Sequence, residues 1–121
     1  MKLHAVNNAG VEFQLLTPFF ESLLPAFEAG AGEIRVQLAG SGLKLTYDDK
    51  DFSVPLPSSP YNYGVVAFSR ILILSEMSLA LEGTEQKGSF RVRYNQQLIS
   101  IDVISRRDSE GWDMIFRPNP Y

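Results

Sequence analysis

Arg91 and Arg93 stand two residues apart in Ser89-Phe-Arg-Val-Arg-Tyr94, interleaved with Phe90, Val92 and Tyr94. Strand side chains alternate between faces with a period of two. This spacing therefore puts two guanidinium groups on one face and three hydrophobic groups on the other. Such a row is either the solvated face of a half-buried strand, with Arg91 in diagonal reach of Asp102, or a charged surface that a partner uses.

Other chemistry finds little support. His4 is the single histidine and has no neighbour at metal-ligand spacing; it is expected at the surface or an edge. Asp48-Asp49-Lys50-Asp51 suggests calcium, but the glycine and closing glutamate of a calcium loop are missing. A solvated turn is the expectation there. The glycines between Gly30 and Gly42 lack the lysine and the strand-loop-helix setting of a phosphate loop. Cysteine is absent, so neither disulfide nor thiol chemistry is open to the chain. No pair of carboxylates stands out. The expectation is a protein with no catalytic residues of its own, no metal and no cofactor.

The composition agrees with an ordinary globular chain. The 121 residues suit one domain, residues 1–121, with a real core. A formal charge of −3 gives no overall basic footprint for nucleic acid. No run reaches the length of a transmembrane helix, and Met1-Lys2-Leu3-His4 leads into Asn7-Asn8 rather than an apolar signal core. No membrane insertion is expected, and the cytoplasm is the expected location.

The elements that position the arginines follow from periodicity. Leu3 to Val6 and Val11 to Leu16 form either a small N-terminal hairpin or an extended lead-in packed on the domain. Thr17-Pro18 starts a helix, with Thr as cap and Pro in the first turn. Phe20, Leu23, Leu24 and Phe27 make its apolar stripe, Pro25 should kink or divide it, and Gly30-Ala31-Gly32 ends it. Ile34, Val36 and Leu38, then Leu43, Leu45 and Tyr47, form a hairpin around Gly40-Ser41-Gly42. Phe52, Val54 and Leu56 form a third strand, placed at an edge or a strand end by Pro55.

Ser58-Ser59-Pro60 starts a second helix running to about Glu76. Periodicity alone also allows two strands there; length favours the helix. On that helix Ser69 and Arg70 face out while Phe68, Ile71, Leu72 and Met77 face in. Residues 78–82 continue the helix or are extended, with Leu79 and Leu81 inward, and Gly83 to Gly88 is a polar loop. If Asn95-Gln96 is a two-residue turn, Val92 faces Ile99 and Phe90 faces Ile101. Arg106 to Gly111 is a charged turn with Arg106 and Arg107 at the surface. Trp112, Met114 and Phe116 alternate on a last strand, which Pro118 and Pro120 should stop.

The ordered set Ser69-Arg70-Ile71, Leu79-Ala80, Gln86-Lys87-Gly88, Phe90-Arg91-Val92-Arg93, Asn95 and Ile101-Asp102-Val103-Ile104-Ser105, closed by Gly111 to Arg117, resembles a known pattern. It is similar to the second N-terminal, PAS-like domain of the type II secretion and type IV pilus assembly ATPases, over about fifty residues with compatible elements upstream, so that residues 17–117 correspond and residues 1–16 lead in. The family's Gln-Asp-Gly-Arg turn has Lys87 in place of Asp and Ser89 in place of Arg. Its Asp and His near Gly32 to Gln37 are also missing.

The resemblance implies a PAS-like layout and a role beside an ATPase. In the family, arginines of this domain approach the triphosphate held by the separate motor domain, and Arg70 matches one such position.

The fold expected is α+β, an antiparallel sheet of about five or six strands with two helical segments packed on it. The leading functional expectation is a non-enzymatic interaction and assembly module. Its protein partner would be a secretion or pilus ATPase or its cytoplasmic platform, contacted through Arg70, Arg91 and Arg93. A small acidic inhibitor or immunity-type protein that masks an effector is a second reading. A PAS-like sensor with a ligand between helix and sheet is a third.

Overall fold

The structure is a computed structural model that describes residues 3–6, 17–39, 42–55, 63–77, 83–94, 96–108 and 111–120. The expectations for residues 11–16, 40–41, 56–60 and 78–82, and for Asn95, lie outside the described residues.

Helix α1 spans Thr17–Glu28. Phe19, Phe20, Leu23 and Ala26 are fully buried, a spacing that fits one face of a helix. Leu24 and Phe27 of the expected stripe pack beside them, partly buried. Pro25 does not divide the helix, contrary to one of the two expected outcomes. Only the bond to the carbonyl of Glu21 is lost, and both residues are exposed, where water can replace it. The Pro25 carbonyl still accepts from the Ala29 amide at 3.0 Å. The helix ends in a Schellman motif: Ala31 N–H donates to Ala26 O and Gly30 N–H to Phe27 O, with Gly30 at φ 72°.

Helix α2 spans Tyr63–Leu74, settling the helix-or-strands alternative in favour of the helix. Ala67, Phe68, Ile71 and Leu72 are buried. Its end repeats the Schellman pattern, with Met77 N–H donating to Leu72 O and Glu76 N–H to Ile73 O. Here Glu76, at φ 59°, occupies the left-handed position that Gly30 fills in α1.

The strands are β1 (Leu3–Val6), β2 (Ile34–Ala39), β3 (Gly42–Tyr47), β4 (Lys50–Pro55), β5 (Gln86–Tyr94), β6 (Gln97–Asp108) and β7 (Gly111–Pro120). They form one seven-stranded sheet in the order β1-β5-β6-β7-β2-β3-β4, antiparallel at every pairing. The fold is α+β, an antiparallel sheet with two helices. The strand count exceeds the expected five or six because β1 joins the sheet. It pairs with β5, opposing Leu3 to Tyr94 and Val6 to Arg91.

The hairpins carry their registers from the alternation. Val92 opposes Ile99 and Phe90 opposes Ile101 in β5–β6, as the two-residue turn requires. Leu38 opposes Leu43 in β2–β3. Asp48 and Asp49, at φ 53° and 60°, form a two-residue turn of type I′ geometry that leads directly into Lys50 of β4. Strand β4 is an edge strand, consistent with Pro55 at its end.

Three expectations are corrected. Gln86, Lys87 and Gly88 are not a loop; they pair with Ser105, Ile104 and Val103. Arg106 and Arg107 are not in a turn; they pair with Asp113 and Trp112. Pro118 and Pro120 do not stop β7, and they oppose Ile101 and Ile99. The reason for the last is that β2 pairs with β7 only as far as Phe116. Beyond it no described strand lies on that side of β7, so the N–H that proline lacks is dispensable there.

Each helix links strands that are not neighbours, so both connections cross the sheet, and both lie on the same face. Phe19 of α1 and Phe68 of α2 meet at 5.8 Å between ring centroids, and Phe19 also meets Phe116 of β7 at 6.2 Å. Phe20–Phe90, Phe90–Phe116 and Phe68–Trp112 continue this chain of tilted and edge-on rings. The space between helices and sheet is thus occupied by aromatic side chains, each worth roughly 2–3 kcal/mol when fully buried. Trp112 is held in place by its Nε1–H, which donates to Ser105 Oγ at 3.2 Å, and the Arg107 guanidinium lies 5.1 Å from the centre of its ring.

Candidate docking face

The strand residues that do not point at the helices form a second, polar face. In β5 the buried Phe90 and Val92 alternate with Arg91 and Arg93, which therefore project from it. Lys87 and Ser89 share their phase. In β6 the same face carries Leu98, Ser100, Asp102, Ile104 and Arg106, because Ile99, Ile101, Val103 and Ser105 are buried.

Charges on this face divide into two regions. Around β7, β2, β3 and β4, each cation has an anion. Arg35 meets Asp113 at 2.6 Å, Lys44 meets Asp51 at 3.3 Å, and Arg117 meets Glu33 at 3.1 Å. The Arg35 contact is bidentate, Nε and Nη2 reaching both carboxylate oxygens, and it raises the Arg35 pKa above its ordinary value, the hydrogen bond first and the charge second. Asp51 also accepts from Thr46 Oγ1 at 2.9 Å; this bond, followed by Lys44, lowers its carboxyl pKa.

On β5 and β6 the pattern reverses. Lys87, Arg91, Arg93 and Arg106 make no ion pair with any described side chain. Among the described side chains of β5 and β6 Asp102 is the one carboxylate, and Asn119 Nδ2 donates to it at 2.6 Å. The expected diagonal contact from Arg91 to Asp102 does not form. At the hairpin end, Arg91, Arg93, Gln96, Gln97 and Leu98 line a shallow open depression of about 590 Å³.

Of the arginines singled out in the sequence, the structure brings Arg91 and Arg93 together. Arg70 is exposed on α2, on the opposite side of the sheet, and cannot join them in one contact surface. Lys87 extends the cationic row of β5, and Arg106 stands on the same face opposite Asp113; the sequence places one in a loop and the other in a turn. Their signal was phase: Lys87 is in step with Arg91 and Arg93, and Arg106 with Ser100 and Asp102.

No protein-family model matches the sequence, and no curated protein matches it. Among the described residues no helix is long and apolar enough to cross a membrane, and no group of three or more histidine, aspartate or glutamate side chains is placed to hold a metal ion. The chemistry available to the face is recognition of an anion. Guanidinium groups donate in pairs to a carboxylate, and the amides of Gln96 and Gln97 add neutral donors beside them.

Proposed function

We propose that this protein is a non-enzymatic docking module that binds a protein partner on the open face of β5 and β6. The observation that carries the reading is the contrast in charge pairing across one sheet. Arg35, Lys44 and Arg117 are neutralised by neighbours, whereas Lys87, Arg91 and Arg93 have no anionic partner among the described side chains. A row of like charges raises the energy of the free protein and is relieved by a complementary surface.

The resemblance to the N-terminal domain of secretion and pilus ATPases suggests the partner, such an ATPase or its cytoplasmic platform. The absence of a phosphate loop and of any cysteine from the sequence supports a binding role over a catalytic one.

The test is capture of partners on the tagged protein, with identification by mass spectrometry, comparing wild type with Arg91→Ala/Arg93→Ala and with Arg70→Ala. The reading expects an ATPase or platform component that the double variant loses and Arg70→Ala keeps. Recovery of a toxin-like effector, retained by the double variant, would replace it with the inhibitor reading.

A further inference from the structure

We infer that the β5–β6 face recognises an extended acidic segment of its partner, with acidic side chains on alternate residues. This rests on the docking reading above and specifies the chemistry of what docks.

Arg91 and Arg93 share one strand face two residues apart, a separation of roughly 6.6–6.8 Å along the strand. An extended peptide presents its own i and i+2 side chains at the same interval. A segment of the form acidic–x–acidic laid along β5 therefore places one carboxylate at each guanidinium without bending either chain. Lys87 lies four residues before Arg91 in the same phase, about 13 Å away, and meets a further acidic side chain in the same register.

The depression adds selectivity. Leu98 opposes Arg93 in the β5–β6 register and is 36% exposed, an apolar surface between charged groups. Gln96 and Gln97 border it and can bond a peptide backbone or a carboxylate. Carboxylates beside an apolar side chain fit this mixture.

The choice of a peptide over a nucleic acid follows from the described side chains of the face. Single-stranded nucleic acid is held by aromatic platforms as well as cations. The described aromatic side chains on β5 to β7 that are buried, Phe90, Trp112 and Phe116, all point to the helices. The face also carries Asp102 in its middle, which a continuous phosphate backbone would have to pass and a peptide with spaced carboxylates can avoid.

The direct experiment is fluorescence anisotropy with a labelled Glu-Val-Glu-Val-Glu-Val-Glu peptide, against a Lys-for-Glu control, a single-stranded oligothymidine and anionic phospholipid vesicles. The inference expects the acidic peptide to bind, the lysine peptide not to bind, and Arg91→Ala/Arg93→Ala to weaken binding by about tenfold or more. Arg35→Ala, whose guanidinium is already paired, should change affinity by less than about twofold. Circular dichroism and a thermal melt establish that each variant is folded. Absence of peptide binding, equal binding by the double variant, or tighter binding of the oligonucleotide or vesicles each overturns the inference. Loss of a captured protein partner from the double variant, without any binding of the acidic peptide, would leave the docking reading standing and reject this one alone.

Discussion

A Cβ on Gly88 would stand 2.5 Å from the carbonyl oxygen of Ser75, with Met77 Cε at 3.0 Å and Ser75 Cβ at 3.1 Å. The missing side chain is what lets the end of α2 close onto β5. Because the nearest atom is backbone, a methyl group there must push the two elements apart. Gly88→Ala should therefore destabilise the protein by about 1–3 kcal/mol. Urea unfolding followed by tryptophan fluorescence measures it; a midpoint unchanged from wild type would show that α2 does not sit this close to the strand.

Gly30 gives the complementary case. Nothing lies within 4 Å of a Cβ built on it, but its φ is +72°. The cost of Gly30→Ala is conformational alone, about 1 kcal/mol. The same unfolding assay should place it below Gly88→Ala, and the reverse order would contradict the steric account of Gly88.

Much of this architecture is legible in the sequence, and the reason is local. The β5–β6 hairpin is strict in its alternation, so only one register hides Phe90, Val92, Ile99 and Ile101 together, and that register is found. Strand ends are harder to see. Lys87 beside a glycine, and Arg106 in a run of charges, resemble loop residues until a neighbouring strand pairs with them. Pro118 and Pro120 are tolerated because β2 has already ended, a fact about a segment some eighty residues earlier. The docking face is the least legible part. Arg35 and Asp113 are 78 residues apart in the chain, and only the sheet order makes them a pair. Likewise Asn119, not Arg91, occupies Asp102.

The indole of Trp112 is buried and donates to Ser105 Oγ, itself 2% exposed. Ser105→Ala leaves that N–H unpaired inside the core and should cost about 1–3 kcal/mol. Trp112 is the sole tryptophan, so its emission reports both the fold and the loss. A stability equal to wild type would mean that the hydrogen bond contributes nothing net.

Asp51 supplies a pH test. Its folded-state pKa is lowered below the ordinary 3.8 by the Thr46 hydroxyl and then by Lys44. A depressed acid stabilises the fold above its unfolded pKa, and that contribution is lost as pH falls through the folded value. The difference in melting temperature between wild type and Asp51→Asn should be present at neutral pH and vanish as pH falls through the lowered, folded-state value. A difference that persists or grows in acid would contradict the assignment.

The central claim is that partners bind on the β5–β6 face and not on the helices. Amide chemical-shift mapping by NMR, with a captured partner added to labelled protein, tests it most directly. The account predicts perturbations at Lys87, Arg91, Arg93 and Gln96 to Leu98, with the amides around Arg70 on α2 unmoved. A footprint on α2 that spares β5 and β6 would contradict it.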